Sequence, residues 1–318
     1  MRALQPHLLI LFGLTACASP PPSAAQDSAP YALVLGTAQD GGLPQIACDG
    51  PQCHAARANP DLGRLVASLL VVDPASGKRW LIDATPDLPA QVELAREHGA
   101  PRGAGRPALF DGIFVTHAHT GHYGGLLHLG REAYGGAPVP VHGPARLTTF
   151  LENNGPWELS VKLGHLAPTT LAPGVPFALT DELTITALLV PHRDEYSETY
   201  AYVVRGPERA LVYLPDIDKW ERWEQSIEAV IADVDVALLD GTFHADGEIP
   251  GRAMADIPHP FLAESIARFA ALPESERQKI RFTHLNHTNP ASNPRSAAAA
   301  AVRAAGMAIA ADGERHGL

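Results

Sequence analysis

The chain of 318 residues has room for one large domain or two ordinary ones, and it can bury its own core. Hydrophobic residues make up 46% and charged residues 19%, which argues against intrinsic disorder. The formal net charge of −11 argues against a chain-wide nucleic-acid surface, so we expect no nucleic-acid partner. Three cysteines are too few for a disulfide scaffold. The feature that stands out is the set of 15 histidines.

The N-terminal segment has the pattern of an export signal. An apolar run at 8–16 follows Arg2 and is shorter than the roughly 20 residues that span a bilayer, which predicts a signal peptide over residues 1–16. The letters LTAC at 14–17 resemble a bacterial lipobox, in which Cys17 receives the lipid. Cleavage at Ala-Cys-Ala by the ordinary signal peptidase is the alternative. We therefore expect a periplasmic protein, anchored to the outer membrane or, in the alternative, soluble.

The rest of the chain is predicted to be a tether followed by one folded domain. Residues 17–30 are rich in proline and small residues, which favours a tether, and the domain is expected over 31–318. Apolar runs predict strands at 31–35, 65–72, 80–82, 112–115, 183–190, 200–204, 210–214 and 236–239. Amphipathic stretches predict helices at 88–98, 124–134, 145–153, 219–231, 260–271 and 295–305. Strands followed by helices, in two similar halves, indicate a layered α/β sandwich.

The most informative segment is 112–126, which reads GIFVTHAHTGHYGGL. An apolar run ends before His117, and His119 and His122 follow within six residues. Such a strand-to-helix turn can direct several imidazoles toward one point, where they would bind a metal ion. The segment therefore predicts a metal site.

This segment resembles the H-x-H-x-D-H signature of the metallo-β-lactamase superfamily, and the other motifs of that family follow in order. The early Asp that closes a strand matches Asp83, and the bridging Asp matches Asp216. The resemblance implies a four-layer αββα sandwich and a metal site whose ligands are His117, His119, His122, His192, Asp216 and His284.

A narrower resemblance concerns the pyrroloquinoline-quinone (PQQ) biosynthesis protein B family and, more distantly, the phosphonate-pathway cyclic phosphodiesterases. It is carried by residues 34–42, 79–81, 240–243 and 286–290. In the phosphodiesterases, the position of His259 holds a proton-donating or phosphate-binding histidine. The resemblance thus implies catalytic roles for His259 and Asp216, with a structural role for His259 as the alternative.

The sequence departs from the superfamily signature at Gly121, which stands where the signature has Asp. In a dinuclear hydrolase that Asp binds the second metal and helps to orient the attacking water. The resemblance leaves the second metal with His122, His284 and a shared Asp216. Two histidines and one carboxylate are also the ligands of non-haem iron oxygenases. Gly121 therefore permits hydrolysis or oxygen chemistry, with a weakened or absent second metal.

A second departure concerns a structural zinc that relatives hold with a C-x-C-x-x-C loop and a distal histidine. Here the loop reads CDGPQC, with Gly50 in place of the middle cysteine. Cys48, Cys53 and His287 match the remaining ligands, and His54 is an alternative fourth ligand. A Cys48–Cys53 disulfide is the competing interpretation outside the cytoplasm.

The leading functional hypothesis is a metal-activated water that attacks a small-molecule ester, phosphodiester or lactone. We expect one or two divalent ions, with zinc first and iron or manganese as alternatives. The competing hypotheses are an iron-dependent oxygenase of the PQQ protein B type and a carrier lipoprotein with a degenerate metal site. The oligomeric state is left open, with a homodimer as one alternative.

Overall fold

The computed structural model describes residues 29–100, 103–251, 253 and 256–318. The predicted export signal and the lipid-bearing Cys17 lie outside the described residues, as does nearly all of the tether. Among the described residues, no helix is long and apolar enough to cross a membrane.

The first of two sheets is formed mainly by the N-terminal half of the chain. Its strands are β1 (Tyr31–Gly36), β2 (Ser68–Asp73), β3 (Lys78–Ile82), β4 (Gly112–Phe114), β5 (Val139–Gly143), β6 (Leu166–Thr170) and β14 (Arg315–Gly317). Their spatial order is β14-β1-β2-β3-β4-β5-β6. Pairing is antiparallel from β14 to β3 and parallel from β3 to β6. Strands β1 and β3 therefore point in the same direction.

The second sheet repeats this plan. Its strands are β7 (Pro176–Ala178), β8 (Thr184–Val190), β9 (Thr199–Arg205), β10 (Ala210–Leu214), β11 (Val236–Asp240), β12 (Ile280–Thr283) and β13 (Ala308–Ile309). The order is β13-β12-β11-β10-β9-β8-β7, with parallel pairing from β10 to β13. All eight predicted strand segments are strands in the structure, within a few residues at their ends. The short strands β5, β6, β7, β12, β13 and β14 were not predicted.

The helices cover the outer faces of the two sheets. They are α1 (Pro51–Ala58), α2 (Leu88–Ala95), α3 (Thr120–Tyr123), α4 (Ala145–Asn153), α5 (Trp157–Lys162), α6 (Ile227–Ala232), α7 (Leu262–Phe269), α8 (Glu274–Arg277) and α9 (Ala297–Ala304). One apolar core joins the two sheets, and it includes Leu69 and Leu238. Two further cores pack helices against each sheet, with Leu147 in one and Phe269 in the other. The predicted αββα sandwich is confirmed.

Two helix predictions were wrong in extent. The segment predicted as a helix at 124–134 forms a 3₁₀ helix over Gly124–Leu129, and it ends there because Gly130 has an extended backbone with φ −67° and ψ 171°. The segment predicted at 219–231 is helical only at Trp220–Arg222 and in α6. Helix α6 begins late because the Ser226 side chain accepts a hydrogen bond from its first turn.

The fold brings the carboxyl ends of parallel strands from both sheets to one edge. Asp83 follows β3, residues 115–122 follow β4, and Asp216 follows β10. His192 follows β8 and His284 follows β12, while the turn after β1 carries Asp40. Ligand sites in α/β sheets form at this edge, because loops from several strands converge there. The polar loops of both halves therefore meet at one place.

Candidate metal centre

A first cluster of histidines, which we define as His117, His119 and His192, lies within this edge. One ring nitrogen of each lies within 4.8 Å of the others. His117 Nε2 lies 2.7 Å from His119 Nδ1. The opposite nitrogens are held from outside, since His117 Nδ1 bonds Thr116 Oγ1 and His119 Nε2 bonds a carboxylate oxygen of Glu195. His117 Nε2 and His119 Nδ1 are thereby left to face inward.

A second cluster, defined as Asp40, His122 and His284, lies beside the first. His122 Nδ1 donates to Asp83 at 2.7 Å, and His284 Nδ1 bonds Thr242 Oγ1 at 3.0 Å. Both Nε2 atoms therefore face inward. This arrangement is the one that metal-binding histidines adopt, with one nitrogen fixed by an outer partner and the other free for the ion.

Asp216 lies between the two clusters. Its Oδ2 atom is 2.8 Å from His122 Nε2 and 3.2 Å from His284 Nε2. The same oxygen is 4.0 Å from His117 Nε2, and Oδ1 is 3.7 Å from His192 Nε2. One carboxylate thus reaches both clusters, as a bridging ligand must.

The donor atoms fit a divalent metal ion. Several are buried without a hydrogen-bond partner in the described part of the chain, namely Asp40 Oδ1, His122 Nε2, both ring nitrogens of His192, Asp216 Oδ2 and His284 Nε2. Buried polar atoms without partners are costly and need an explanation. Tetrahedral zinc ligands at about 2.0–2.1 Å from the ion lie about 3.3 Å from one another. The spacings around Asp216 are close to that value, so these residues can hold the ion.

Burial and charge set the protonation states that a metal requires. Burial lowers the pKa of His192 to about 3, and burial together with nearby His122 lowers the pKa of His117 well below its usual value. Burial opposes ionisation of Asp216, but His284 and His122 outweigh it and hold its pKa well below the usual range. Neutral imidazoles and an ionised carboxylate are the forms that bind metal.

His122 differs from the other histidines. Burial disfavours its charged form, but Asp83 and Asp216 outweigh burial and raise its pKa well above the usual value. These two carboxylates therefore stabilise positive charge at His122, whether the charge is a proton or a metal ion.

Two ordinary residues at this edge adopt a left-handed backbone. Asp83 has φ +66° and His284 has φ +59°, although neither is glycine. Such conformations cost about 1–3 kcal/mol each and persist where surrounding contacts impose them. At Asp83 those contacts are hydrogen bonds from Thr116 and His122. The strained backbone therefore supports the histidine network.

His259 lies at the side of the first cluster. One of its ring nitrogens groups with His192 and Asp216 within 4.8 Å. Its Nδ1 atom donates to Asp240 Oδ2 at 2.8 Å, and Asp240 also accepts from Thr242 Oγ1 at 2.7 Å. Burial disfavours the imidazolium of His259, but Asp240 outweighs burial and raises its pKa. His259 can therefore carry a proton beside the centre.

The structure brings together all seven residues named for the metal and catalytic roles: His117, His119, His122, His192, Asp216, His259 and His284. Sequence reasoning assigned no role to Asp40, although an acidic residue after a strand is the signal that Asp83 and Asp216 also gave. The supporting residues Thr116, Glu195, Asp240 and Thr242 were also missed, because their roles depend on contacts between distant segments.

The cysteine loop packs beside the turn that carries Asp40, because Cys53 shares a small apolar cluster with Ala38 and Leu43. Burial and a hydrogen bond with the neighbouring Cys48 raise the pKa of the Cys53 thiol. Among the described residues, no group of three candidate ligands includes Cys48, Cys53, His54 or His287. The structural zinc and the disulfide therefore both stay predictions.

Comparison with known proteins identifies the class to which this fold and site belong. Residues 78–285 match the family model described as "Beta-lactamase superfamily domain", and the chain belongs to that superfamily.

Within it, the chain is 30% identical over 304 residues to "Coenzyme PQQ synthesis protein B" of Methylobacterium radiotolerans, an alignment that covers 88% of this chain and 97% of the relative. The same protein of Rhodopseudomonas palustris is 29% identical, and that alignment covers 88% of this chain and 97% of the relative. The predicted resemblance is confirmed.

Solved structures share the fold. Zinc-bound PqqB from Methylobacterium extorquens has a TM-score of 0.77 and 24% identity, with 91% of this chain and 100% of that chain covered. A diphosphatase of the PhnP family has a TM-score of 0.62 and 22% identity, with 91% of this chain and 97% of that chain covered.

Proposed function

We propose that this protein is a metal-dependent hydrolase that uses activated water on a small-molecule ester, phosphodiester or lactone. The observation that carries the proposal is the convergence of unpartnered donor atoms around Asp216. His122 and His284 are each held from outside, so that their free nitrogens lie 2.8 and 3.2 Å from one oxygen of Asp216. Such a site suits divalent ions.

The residues that would hold the ions are the first cluster, His122 and His284, with Asp216 between them. A bound divalent ion lowers the pKa of water to about 7 and polarises the oxygen of an ester or phosphoester. Asp83 and Thr242 fix the rings of His122 and His284, and Glu195 fixes His119. Preorganisation of this kind avoids a reorganisation cost during the reaction. Zinc is the ion we expect, with iron or manganese as alternatives.

His259 supplies the proton that the leaving oxygen needs. Its Nδ1 atom is held by Asp240 at 2.8 Å and lies 3.6 Å from Asp216 Oδ1, so the ring borders the centre and Nε2 is the nitrogen left to give a proton to the leaving group. Asp240 stabilises the charged ring and fixes its orientation, as an acid partner does for a general-acid histidine. Asp240 also accepts a hydrogen bond from Thr242, which holds His284, so one carboxylate supports both histidines.

Hydrolysis can be tested with bis(4-nitrophenyl) phosphate, 4-nitrophenyl esters and a set of lactones, each with zinc, manganese or iron. We expect turnover of at least one class, and its loss in His122→Ala. The matched control is His128→Ala, because His128 is exposed and follows on the same segment. No turnover with any ion and any class, or full activity in His122→Ala, would contradict the proposal.

A second candidate is an iron-dependent oxygenase that acts on a peptide or quinone precursor. It is favoured by the curated relatives, which are named for PQQ synthesis. Metal analysis of protein purified without oxygen separates the two. Iron with substrate-dependent oxygen consumption would support the oxygenase, and zinc with hydrolysis would support the leading proposal.

We also propose that the chain is exported and lipid-anchored through Cys17, which lies outside the described residues. Growth with radiolabelled fatty acid should label the protein, and Cys17→Ser should remove the label. Labelling that survives Cys17→Ser would contradict the anchor, and a soluble periplasmic protein would then be the alternative.

A further inference from the structure

Gly121 and Asp40 compete for one small volume. A Cβ atom added at Gly121 would lie 2.0 Å from Asp40 Oδ1 and 2.8 Å from Asp40 Cα. Carbon atoms in proteins do not approach so closely, because dispersion attraction turns to repulsion well outside that distance. The space into which a side chain at position 121 would project is therefore filled by the carboxylate of Asp40.

The carboxylate of Asp40 is directed at the second cluster. Its Oδ1 atom lies 3.6 Å from His122 Nε2 and 3.9 Å from His284 Nε2. The side chain is 44% exposed, yet Oδ1 is buried and has no hydrogen-bond partner. Water can hydrate both oxygens of an exposed carboxylate, so burying one oxygen without a partner costs free energy. An inward-facing oxygen beside two free imidazole nitrogens is the arrangement of a metal ligand.

The backbone fixes this position independently of any ligand. Gln39 N–H donates to Leu285 O at 2.9 Å, and Leu285 N–H donates to Thr37 O at 2.8 Å. Thr37 and Gln39, which directly precede Asp40, are thus both bonded to the residue after His284. The turn closes at Gly42, whose φ of +71° suits glycine. Asp40 is therefore held beside His284 by main-chain bonds.

We propose that Asp40 is the carboxylate ligand of the second cluster, in place of the aspartate that the superfamily signature has at position 121. The ligands of the second metal are then Asp40, His122, His284 and the shared Asp216. The inference rests on the proposed metal centre and changes its nature. The second site keeps its full count of ligands and its negative charge, which suits zinc and a bridged pair of ions.

Metal stoichiometry tests the inference without relying on activity. Each protein is stripped with chelator, dialysed against buffered zinc and assayed for bound zinc per chain. Every protein carries Cys48→Ser and Cys53→Ser, so that zinc at the cysteine loop is not counted, and the otherwise unchanged chain should bind two equivalents. Loss of an outer partner of a ligand already weakens metal binding by about 10–100-fold. Asp40→Asn should therefore weaken the second equivalent by at least about 100-fold. Asp61→Asn, at an exposed aspartate of the same half, should bind as wild type does.

A reciprocal exchange distinguishes ligand transfer from a general loss of structure. In Asp40→Gly/Gly121→Asp the carboxylate oxygen 2.0 Å from the new Cβ is removed, but the Cα of position 40 still lies 2.8 Å from it, so the turn must shift. With that shift we expect the second equivalent to return in part. Gly121→Asp alone should bind less zinc, because two carboxylates then occupy one volume. The absorption of cobalt bound at the second site should be reduced in the same variants that bind less zinc. Circular dichroism shows whether each variant is folded.

One result would overturn the inference, namely a folded Asp40→Asn variant that binds both equivalents at the centre with wild-type affinity. Failure of the proposed function is a separate outcome, since wild type could bind two equivalents through Asp40 and still hydrolyse no ester, phosphodiester or lactone.

Discussion

The two clusters of the centre are built from the chain in different ways. In the first cluster, His117 and His119 come from one turn, and their positions are those of the signature. In the second cluster, His122 is joined by His284 from the end of β12 and Asp40 from the turn after β1. His192, which follows β8, completes the first cluster, so both clusters need both sheets. Every member of the first cluster matches a motif of the superfamily, whereas Asp40 in the second cluster does not. A carboxylate that is missing from a sequence motif can therefore be supplied by a residue from a distant segment.

The largest effect is expected at the residue that both clusters share. Asp216→Asn should remove both metal equivalents and lower any hydrolytic rate at least about 1,000-fold, because a bound metal supplies several kcal/mol of transition-state stabilisation. The measurement is zinc per chain together with initial rate. Asp218→Asn is the matched control, since Asp218 pairs with Arg222 at 2.6 Å and should affect neither quantity. Two equivalents retained in Asp216→Asn would show that the clusters are independent.

Removing a ligand of the first cluster alone should separate the two sites. His119→Ala should lose one zinc equivalent and keep the other, because the second cluster has its own donors. Equilibrium dialysis over a range of free zinc measures this. Loss of both equivalents would mean that the second cluster cannot hold an ion without the first.

Two threonines allow a matched pair of smaller changes. Thr116 Oγ1 holds His117 Nδ1, and Thr242 Oγ1 holds His284 Nδ1, each at 3.0 Å. Thr116→Val should weaken zinc binding at the first cluster, and Thr242→Val at the second, each by about 10–100-fold. A zinc titration gives one binding constant for each cluster, and the two constants show which cluster each variant weakens. Equal weakening of both sites by either variant would contradict a division into two clusters.

A separate effect, on folding stability and not on metal binding, concerns a buried histidine that belongs to neither cluster. His142 stacks on Phe114 at 4.8 Å, and burial lowers its pKa from 6.5 to about 4. Its neutral form is therefore favoured in the folded chain, so stability is complete above pH 6.5 and is lost as the pH falls toward 4. The loss amounts to at most about 3 kcal/mol. In His142→Phe, denaturant unfolding from pH 7 to pH 4 should show a smaller decline. An unchanged decline would contradict this role.

Much of the fold could be predicted from sequence because its central strands are continuous apolar runs. Strands such as β2 and β10 are buried throughout, and their composition shows it. The edge strands β6 and β7 could not be predicted, because they are short and largely exposed. The helix predicted at 124–134 was too long because the backbone becomes extended at Gly130, which the apolar pattern does not reveal.

The candidate site divides in the same way. His117, His119 and His122 form a local pattern, and His192, Asp216 and His284 could be found because each matches a motif of the superfamily in order. Asp40 follows a strand but matches no ligand of those motifs, and its proximity to His122 depends on contacts between β1, α3 and the end of β12. Sequence reasoning interpreted Gly121 as a weakened site, whereas the structure shows that another carboxylate occupies that space.

We propose that the chain forms a complete centre for two divalent ions. The number of zinc ions bound per chain at equilibrium tests this directly, measured by dialysis against buffered free zinc followed by elemental analysis. Two equivalents are expected at the centre, filled in two resolvable steps and counted apart from any zinc that Cys48 and Cys53 hold. A limit of one equivalent, or none, would contradict it.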